Sequence, residues 1–146
     1  MPTSSYTKVQ DYAEQVNKGV HNWATHTYKL ALAASAIAAT VADLSGVTQI
    51  SAGGGYTAGA GGGYTLDTVT LTEASGTAKV TIADEVITAT GGAIATHRYY
   101  YLYNDTATSP ADAGVCILDY GSNLSLADTE TLTVDFDGTN GLWQFT

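Results

Sequence analysis

The sequence predicts a mainly β fold, an antiparallel β-sandwich or barrel-like domain with one short N-terminal α-helix. After residue 27, short segments rich in Thr, Val, Ile and Tyr follow one another, and Gly, Ser and Asp separate them at intervals of about eight to twelve residues. A single helical pattern precedes them. Because 146 residues is the usual length of one domain, we expect a single β domain over residues 1–146.

The helix is predicted over residues 5–19. Ser4 or Ser5 suits its N-terminal cap, and Gly19 suits its C-terminal cap. A short amphipathic helix needs an apolar surface to lie on, so we expect it to pack on the sheet or on a neighbouring molecule. Its apolar positions at helical spacing are Val9, Tyr12, Ala13, Val16 and Val20.

From Thr27 the apolar period changes to two, which predicts a strand carrying Tyr28, Leu30 and Leu32 on one face. Residues 35–40 are Ala-rich and favour neither helix nor strand. The spacing of residues 40–43 resembles a capping box and predicts a single helical turn before residues 45–46. Further strands are predicted at residues 65–73, 78–83, 85–90, 94–103, 115–120, 124–126, 131–136 and 142–145.

A repeated block, Gly-Gly-Gly-Tyr-Thr, occurs at residues 53–57 and again at 61–65. Glycine runs give an extended, adaptable backbone, and a tyrosine in each block offers a large amphipathic contact surface. Residues 51–64 are therefore predicted to form a docking loop. Nucleotide binding is disfavoured because the loop lacks the terminal Lys-Ser/Thr of a phosphate-binding loop and precedes a β pattern.

The predicted strand around residues 99–103 is aromatic or apolar on both faces. One face must meet the core, and the other needs a second cover. The N-terminal helix or a long loop of the same chain is one candidate; a subunit interface or a stacking platform for sugar rings is the other. The candidate interface residues are Gly53, Gly54, Gly55, Tyr56, Gly61, Gly62, Gly63, Tyr64, Tyr99, Tyr101 and Tyr103.

The net charge is −9, and the five basic residues are scattered along the chain. Without a basic patch, counterion release cannot drive nucleic-acid binding, and anionic membranes repel the chain. The sequence shows neither a signal-peptide pattern nor a run of about eighteen apolar residues, so we expect assembly in a reducing cytoplasm. The lone cysteine, Cys116, lies in an apolar run and is predicted to be a buried, inert thiol.

Catalytic and metal-binding patterns are weak. His21 and His26 miss the four-residue spacing of zinc ligands on one helical face, and we expect structural or surface roles for them. His97 is expected to point outward from its strand. Asp137 belongs to a fragment of a calcium loop that a hairpin turn explains better. We expect no enzyme activity, no cofactor and no metal.

Seven segments form a recognisable set: residues 6–9, 21–23, 28–32, 87–92, 103–106, 119–122 and 126–136. Together they resemble a family of small tailed-bacteriophage virion proteins. The resemblance implies a non-enzymatic structural protein of the particle, and it implies no catalytic residue. The chain departs from the family pattern at residues 33–39 and in the doubled glycine block.

Acidity favours a position on the outer shell, since a protein that lines packaged DNA normally avoids strong negative charge. The expected role is a head decoration or cement protein, a homo-oligomer whose partners are the major capsid protein or other virion proteins. A tail or neck component is an alternative. A second alternative is a carbohydrate-binding host-recognition module in which Trp23, Trp143 and exposed tyrosines stack on sugars.

Overall fold

A computed structural model describes residues 5–146. This part of the chain is mainly β, with antiparallel sheets in a sandwich-like arrangement that does not close into a barrel, which confirms the predicted fold class. In chain order the elements are β1 (Ser5–Lys8), α1 (Tyr12–Asn17), β2 (Tyr28–Ala33), a 3-10 turn (Leu44–Gly46), β3 (Tyr64–Thr65), β4 (Thr70–Ala74), β5 (Thr77–Thr81), β6 (Glu85–Thr88), β7 (Ile94–Thr108), β8 (Ala111–Leu126), β9 (Thr131–Val134) and β10 (Trp143–Phe145).

Three sheets organise these strands. The largest has the order β1-β8-β7-β2-β3, the second has the order β10-β5-β4, and the third pairs β6 with β9. All the pairings are antiparallel. The long hairpin of β7 and β8, with strands of 15 and 16 residues, lies at the centre of the largest sheet.

Strand β8 is longer than the sequence predicted, because the two segments expected at residues 115–120 and 124–126 form one strand. The register between β7 and β8 shifts at several points, and such bulges let a long hairpin twist and bend without ending. Gly121, which separates the two expected segments, has a φ of +91° and lies within the strand.

The predicted helix over residues 5–19 is too long at its N-terminus. Residues Ser5–Lys8 form β1 and pair with β8, where Tyr6 lies opposite Leu118. The pairing gives hydrogen-bond partners to the backbone groups on one side of β1. In a helix that began at Ser5, the first N–H groups would instead depend on a side-chain cap. The six-residue helix begins only at Tyr12, after Asp11, whose side chain makes no capping hydrogen bond.

The helix ends at Asn17, two residues before the predicted bound, and the capping role predicted for Gly19 is confirmed by its φ of +78°. Its N–H donates to the carbonyl of Val16, and the N–H of Val20 donates to that of Gln15, both in the pattern of a Schellman motif. The predicted turn near residue 45 also forms, but it spans Leu44–Gly46. Asp43, and not Thr40, caps it by accepting the N–H of Ser45 at 2.9 Å.

An aromatic cluster attaches the helix to the sheet. The ring of Trp23 stacks on that of Tyr28 in β2, with centroids 3.8 Å apart and an interplanar angle of 4°. The indole N–H of Trp23 donates to the hydroxyl of Tyr12 at 2.9 Å. Trp143 of β10 meets the ring of Trp23 edge-on at 6.4 Å. The cluster therefore joins the N-terminal helix, the largest sheet and the C-terminal strand.

Replacing Tyr12 by Phe should lower the free energy of unfolding by about 1–2 kcal/mol, because the buried indole N–H of Trp23 loses its acceptor. Urea unfolding followed by tryptophan fluorescence measures this loss. Tyr120→Phe is the matched control, since the half-buried Tyr120 hydroxyl makes no hydrogen bond within residues 5–146. Equal stability losses in the two variants would contradict the role given to the Tyr12 hydroxyl.

Candidate docking surfaces

The glycine-rich loop at residues 51–64 is held closed by its own backbone. Gly53 and Tyr56 exchange two backbone hydrogen bonds, each of 3.0 Å. Farther along, the N–H of Gly63 donates to the carbonyl of Thr57 at 2.8 Å. The loop thus consists of two short, bonded turns, and its continuously exposed stretches are residues 51–53 and the tip at residues 57–60.

Side chains from the rest of the protein also hold the loop. The Tyr56 ring is only 2% exposed, and its hydroxyl accepts the N–H of Leu32 while donating to the side-chain oxygen of Gln49 at 2.8 Å. Lys29 donates to the carbonyl of Gly61 at 2.6 Å. The hydroxyl of Tyr103 donates to the carbonyl of Gly62. The tyrosine of the first glycine block therefore points into the protein.

Close packing explains the glycines. A Cβ on Gly54 would lie 2.6 Å from the carbonyl carbon of Ala93, and a Cβ on Gly63 would collide with the carbonyl of Leu30. Gly63 also has a φ of +97°, which disfavours other residues. The expectation of an adaptable backbone is therefore wrong, because these positions need glycine to let the loop lie against the sheet.

Replacing Gly63 by Ala should destabilise the protein by about 3 kcal/mol or more, because the left-handed backbone and the collision with Leu30 act together. Gly59→Ala is the matched control: its φ is +100°, but its Cβ meets nothing within 4 Å. The control should lose only about 1–2 kcal/mol. Similar losses in thermal or urea unfolding would show that the loop does not pack as described.

The tyrosines on one face of β7 are covered by the same chain. Tyr101 and Tyr103 are fully buried, and the Tyr101 hydroxyl donates to the carbonyl of Val41 at 2.9 Å. Burial raises the pKa of both hydroxyls. Tyr99 is half-buried, with the Arg98 guanidinium over its ring, 5.2 Å from the centroid. The loops of this chain thus supply the second cover that the sequence required.

A partner can therefore reach only part of the candidate interface set in this conformation. Tyr56, Tyr101, Tyr103, Gly54 and Gly62 are buried. Tyr64 is half-buried at the edge strand β3, and burial raises its pKa to about 12. A docking role for the remaining positions stays a prediction; they are Gly53, Gly55, Gly61, Gly63, Tyr64 and Tyr99.

The four exposed large hydrophobic residues of the described chain all lie on edge strands. Tyr6 in β1 is 43% exposed, Leu71 in β4 44%, Val86 in β6 56% and Phe145 in β10 71%. Within residues 5–146, each of these strands has a hydrogen-bonded neighbour on one side only. No motif in the sequence marked these positions. Exposed apolar side chains and unpaired backbone groups therefore coincide at four places.

One apolar face extends from the core to the surface. Across the three-stranded sheet, Leu71, Val80 and Trp143 lie opposite one another, and the next row on the same face consists of Phe145, Ala78 and Glu73. Val80 is fully buried, whereas Phe145 is mostly exposed. The opposite face of this sheet carries polar side chains, namely Thr70, Thr72, Lys79, Thr81 and Gln144. The protein covers only part of the apolar face.

A groove of about 720 Å³ opens beside β1. Tyr6, Leu118 and Tyr100 form one cross-strand row on its sheet side. Residues 131–137, which include β9, form the facing side together with Leu142. The groove is therefore an opening between the largest sheet and the β9 segment, at the edge that β1 forms.

The histidines have structural surroundings. The Asn104 side-chain amide lies 3.0 Å from Nδ1 of His26 and 3.4 Å from Nδ1 of His21, which is only 6% exposed. His97 is fully buried, so its predicted outward position is wrong. The register shifts on both sides of His97 turn its side chain inward, where it meets Tyr100 edge-on.

The other chemical candidates also have structural roles. Cys116 is fully buried, and burial raises the pKa of its thiol, as the sequence predicted for an inert cysteine. Asp137 accepts the N–H groups of Thr139 and Asn140 at 2.8 Å, so a turn forms here, but the predicted hairpin is wrong, because β9 pairs with β6 and β10 pairs with β5 in a different sheet. Within residues 5–146 no group of three His, Cys, Asp or Glu side chains could hold a metal ion. No helix in this region is long and apolar enough to span a bilayer.

The proposed sugar platform does not form at Trp23. Its ring is 3% exposed and is stacked on the fully buried Tyr28. Trp143 is half-buried against the same cluster.

Comparison with known proteins finds no matching family model, no similar curated protein and no similar solved structure.

Protonation of the buried histidines should destabilise the fold as the pH falls from about 6.5 towards 4. Burial lowers the pKa of His21 to about 4, with Asp11 opposing the shift and His26 adding to it, and burial also lowers the pKa of His97. Because these folded pKa values lie below that of the unfolded chain, the unfolded state binds more protons in this window. Stability is fully present above about pH 6.5 and is lost below it.

The urea concentration at the unfolding midpoint should therefore decrease when the pH is lowered from about 7 to about 5. Most carboxylates titrate below this pH range. His21→Phe keeps an aromatic ring against Tyr12 and Tyr28 and removes one proton site, so its dependence on pH should be shallower. A midpoint that is the same at both pH values in the unmodified protein would contradict the burial of these imidazoles as neutral groups.

Proposed function

We propose that this chain is a non-enzymatic structural protein of a bacteriophage particle, which binds the outer surface of the head and stabilises contacts between subunits of the major capsid protein. The observation that carries the proposal is the coincidence of apolar side chains with unpaired sheet edges. It occurs at Tyr6, Leu71, Val86 and Phe145. The resemblance of the sequence to small virion proteins is what favours a bacteriophage particle over other assemblies.

Edge strands are normally protected in proteins that act alone. Charged residues, proline or bulges at an edge prevent pairing with other chains, because unpaired N–H and C=O groups are a template for another strand. Here the edges of β4 and β10 carry Leu71 and Phe145 beside a buried apolar row. A partner that covers this face gains apolar burial and backbone hydrogen bonds together. Such a surface suits a subunit of an assembly.

Charge supports the outer position. With a net charge of −9, the chain would be repelled by packaged DNA, whereas the outside of a shell imposes no such penalty. Each edge is short, so a single contact is weak. Many copies on a regular lattice turn weak contacts into stable attachment, because each added contact is made at a high effective concentration. A protein of the tail or neck could use the same edges. Localising the protein on the particle distinguishes this alternative from a position on the head.

The double variant Leu71→Thr, Phe145→Ser should bind particles at least about tenfold more weakly, because it removes the exposed apolar face. Its free energy of unfolding should change by only about 1 kcal/mol, since Phe145 is 71% exposed and Leu71 is 44% exposed. Co-sedimentation with particles that lack the protein measures binding. The matched control is Gln144→Ser, on the polar face of the same strand.

The control should bind as the unmodified protein does. If the folded double variant binds particles as the unmodified protein does, the edges of β4 and β10 are not the basis of attachment. Failure of the unmodified protein to bind head, neck or tail would overturn the particle assignment itself.

A further inference from the structure

The outer edge of β1 offers free backbone groups beside the groove. The N–H of Val9 donates to the carbonyl of Val115 at 3.0 Å, which fixes the phase of the antiparallel ladder between β1 and β8. In such a ladder, alternate residues bond the neighbouring strand. Thr7 shares the phase of Val9, so the backbone groups of Tyr6 and Lys8 point away from β8. Within residues 5–146, no strand pairs with this edge.

The groove has an apolar floor close to that edge. Its sheet side is the row of Tyr6, Leu118 and Tyr100, and Leu132 and Phe136 face this row from the other side. A strand added outside β1 would direct every second side chain towards the groove and the others towards solvent. The groove and the edge therefore form one continuous surface for an extended chain.

Tyr100 gives a second indication that the groove receives a ligand. The residue is 3% exposed, it lines the groove, and its hydroxyl has no hydrogen-bond partner within residues 5–146. A buried hydroxyl without a partner costs about 1–3 kcal/mol, so a polar group that reaches the groove floor would be stabilised there. Burial raises the pKa of Tyr100, which keeps this hydroxyl protonated and available as a donor.

The charge of the groove favours a positively charged occupant. The groove lining contains two acidic residues, Asp135 and Asp137, and no basic residue, although the Lys79 ammonium lies near Asp137 and donates to the carbonyl of Thr139 at 2.8 Å. The hydrogen bonds that Asp137 accepts from Thr139 and Asn140 lower its pKa, so it is ionised at neutral pH. Lys8, the nearest base along β1, is exposed and does not line the groove. A cationic segment therefore gains attraction both at the groove and from the net charge of −9.

We propose that the β1 edge and the groove bind an extended segment of a partner protein that carries Lys or Arg beside alternating apolar residues. The segment adds a strand outside β1, places apolar side chains against Leu118 and Leu132, and brings its cations to Asp135 and Asp137. This inference rests on the proposed assembly role and names the partner chemistry at one of its edges. A second copy of this chain fits less well, because two chains of charge −9 repel each other.

The test uses a capped peptide of about seven residues that alternates Val with Thr and carries Lys at both ends. Titration into isotopically labelled protein should shift the amide signals of Tyr6 and Lys8 and the methyl signals of Leu118 and Leu132. Raising the salt concentration from about 50 to 500 mM should weaken binding several-fold. A peptide with Glu in place of Lys should bind at least about tenfold more weakly.

Two pairs of variants separate backbone pairing from charge. Lys8→Pro removes an outward N–H and should weaken peptide binding about tenfold, whereas Lys8→Thr keeps that N–H and should bind within about twofold of the unmodified protein. Asp135→Asn should weaken binding, and Asp67→Asn, which is exposed and outside the groove, should not. All three positions, Lys8, Asp67 and Asp135, are exposed, so the four variants should fold.

Absence of shifts at Tyr6 and Lys8, or equal binding by Lys8→Pro and Lys8→Thr, would overturn the proposal. Self-association through β1 that strengthens as salt is added would assign this edge to a second copy and would overturn it as well. The peptide titration uses the isolated protein, and the sedimentation assay uses particles. If the protein binds particles but not the peptide, the β1 proposal is wrong. If it binds the peptide but not particles, the particle assignment is wrong.

Discussion

Strand β7 is buried on both faces, and the other layers of the protein are needed to cover it. Tyr100 and Leu102 face one side, while Tyr101 and Tyr103 face the other, and each is at most 3% exposed. A buried tyrosine removes roughly 150–250 Å² from water, so each ring contributes several kcal/mol to folding if its hydroxyl is satisfied. The carbonyls of Val41 and Gly62 satisfy two of these hydroxyls.

Because both faces of β7 are buried, the long loops must pack against it and form part of the core. The segment around Val41 and the glycine-rich loop lie over β7, and both supply the carbonyls that its tyrosines need. The glycines of that loop serve close approach, as the contact between Gly63 and Leu30 shows. Besides the loop tip at residues 57–60, the exposed surface includes the sheet edges, where apolar side chains lie beside unpaired backbone groups.

Local patterns in the sequence predicted much of this fold. The alternation of Tyr28, Leu30 and Leu32 placed β2, and Gly19 marked the end of the helix, because both signals depend on nearby residues alone. The start of the helix was wrong because β1 is defined by pairing with β8, which is more than 100 residues away in the chain. His97 was wrong because a bulge changes which face a residue occupies, and alternation cannot show a bulge.

The candidate site was less predictable. The glycine block drew attention to a loop in which Gly54, Tyr56 and Gly62 are buried, since a run of glycine is equally typical of flexibility and of close contact. The edge positions Leu71, Val86 and Phe145 have no motif. Their exposure depends on which strands end a sheet, and that order follows from long-range pairing. Knowledge of the sheet order was required to recognise them.

On an assembled particle, we expect partner chains to cover the apolar sheet edges. Cryo-electron microscopy of purified particles, at a resolution that traces the backbone, tests this coverage most directly. We expect regular density for this protein over the head, with strands of neighbouring chains against β1, β4, β6 or β10 and with Phe145 covered. Density in which all four edges face solvent, or particles that lack the protein, would contradict it.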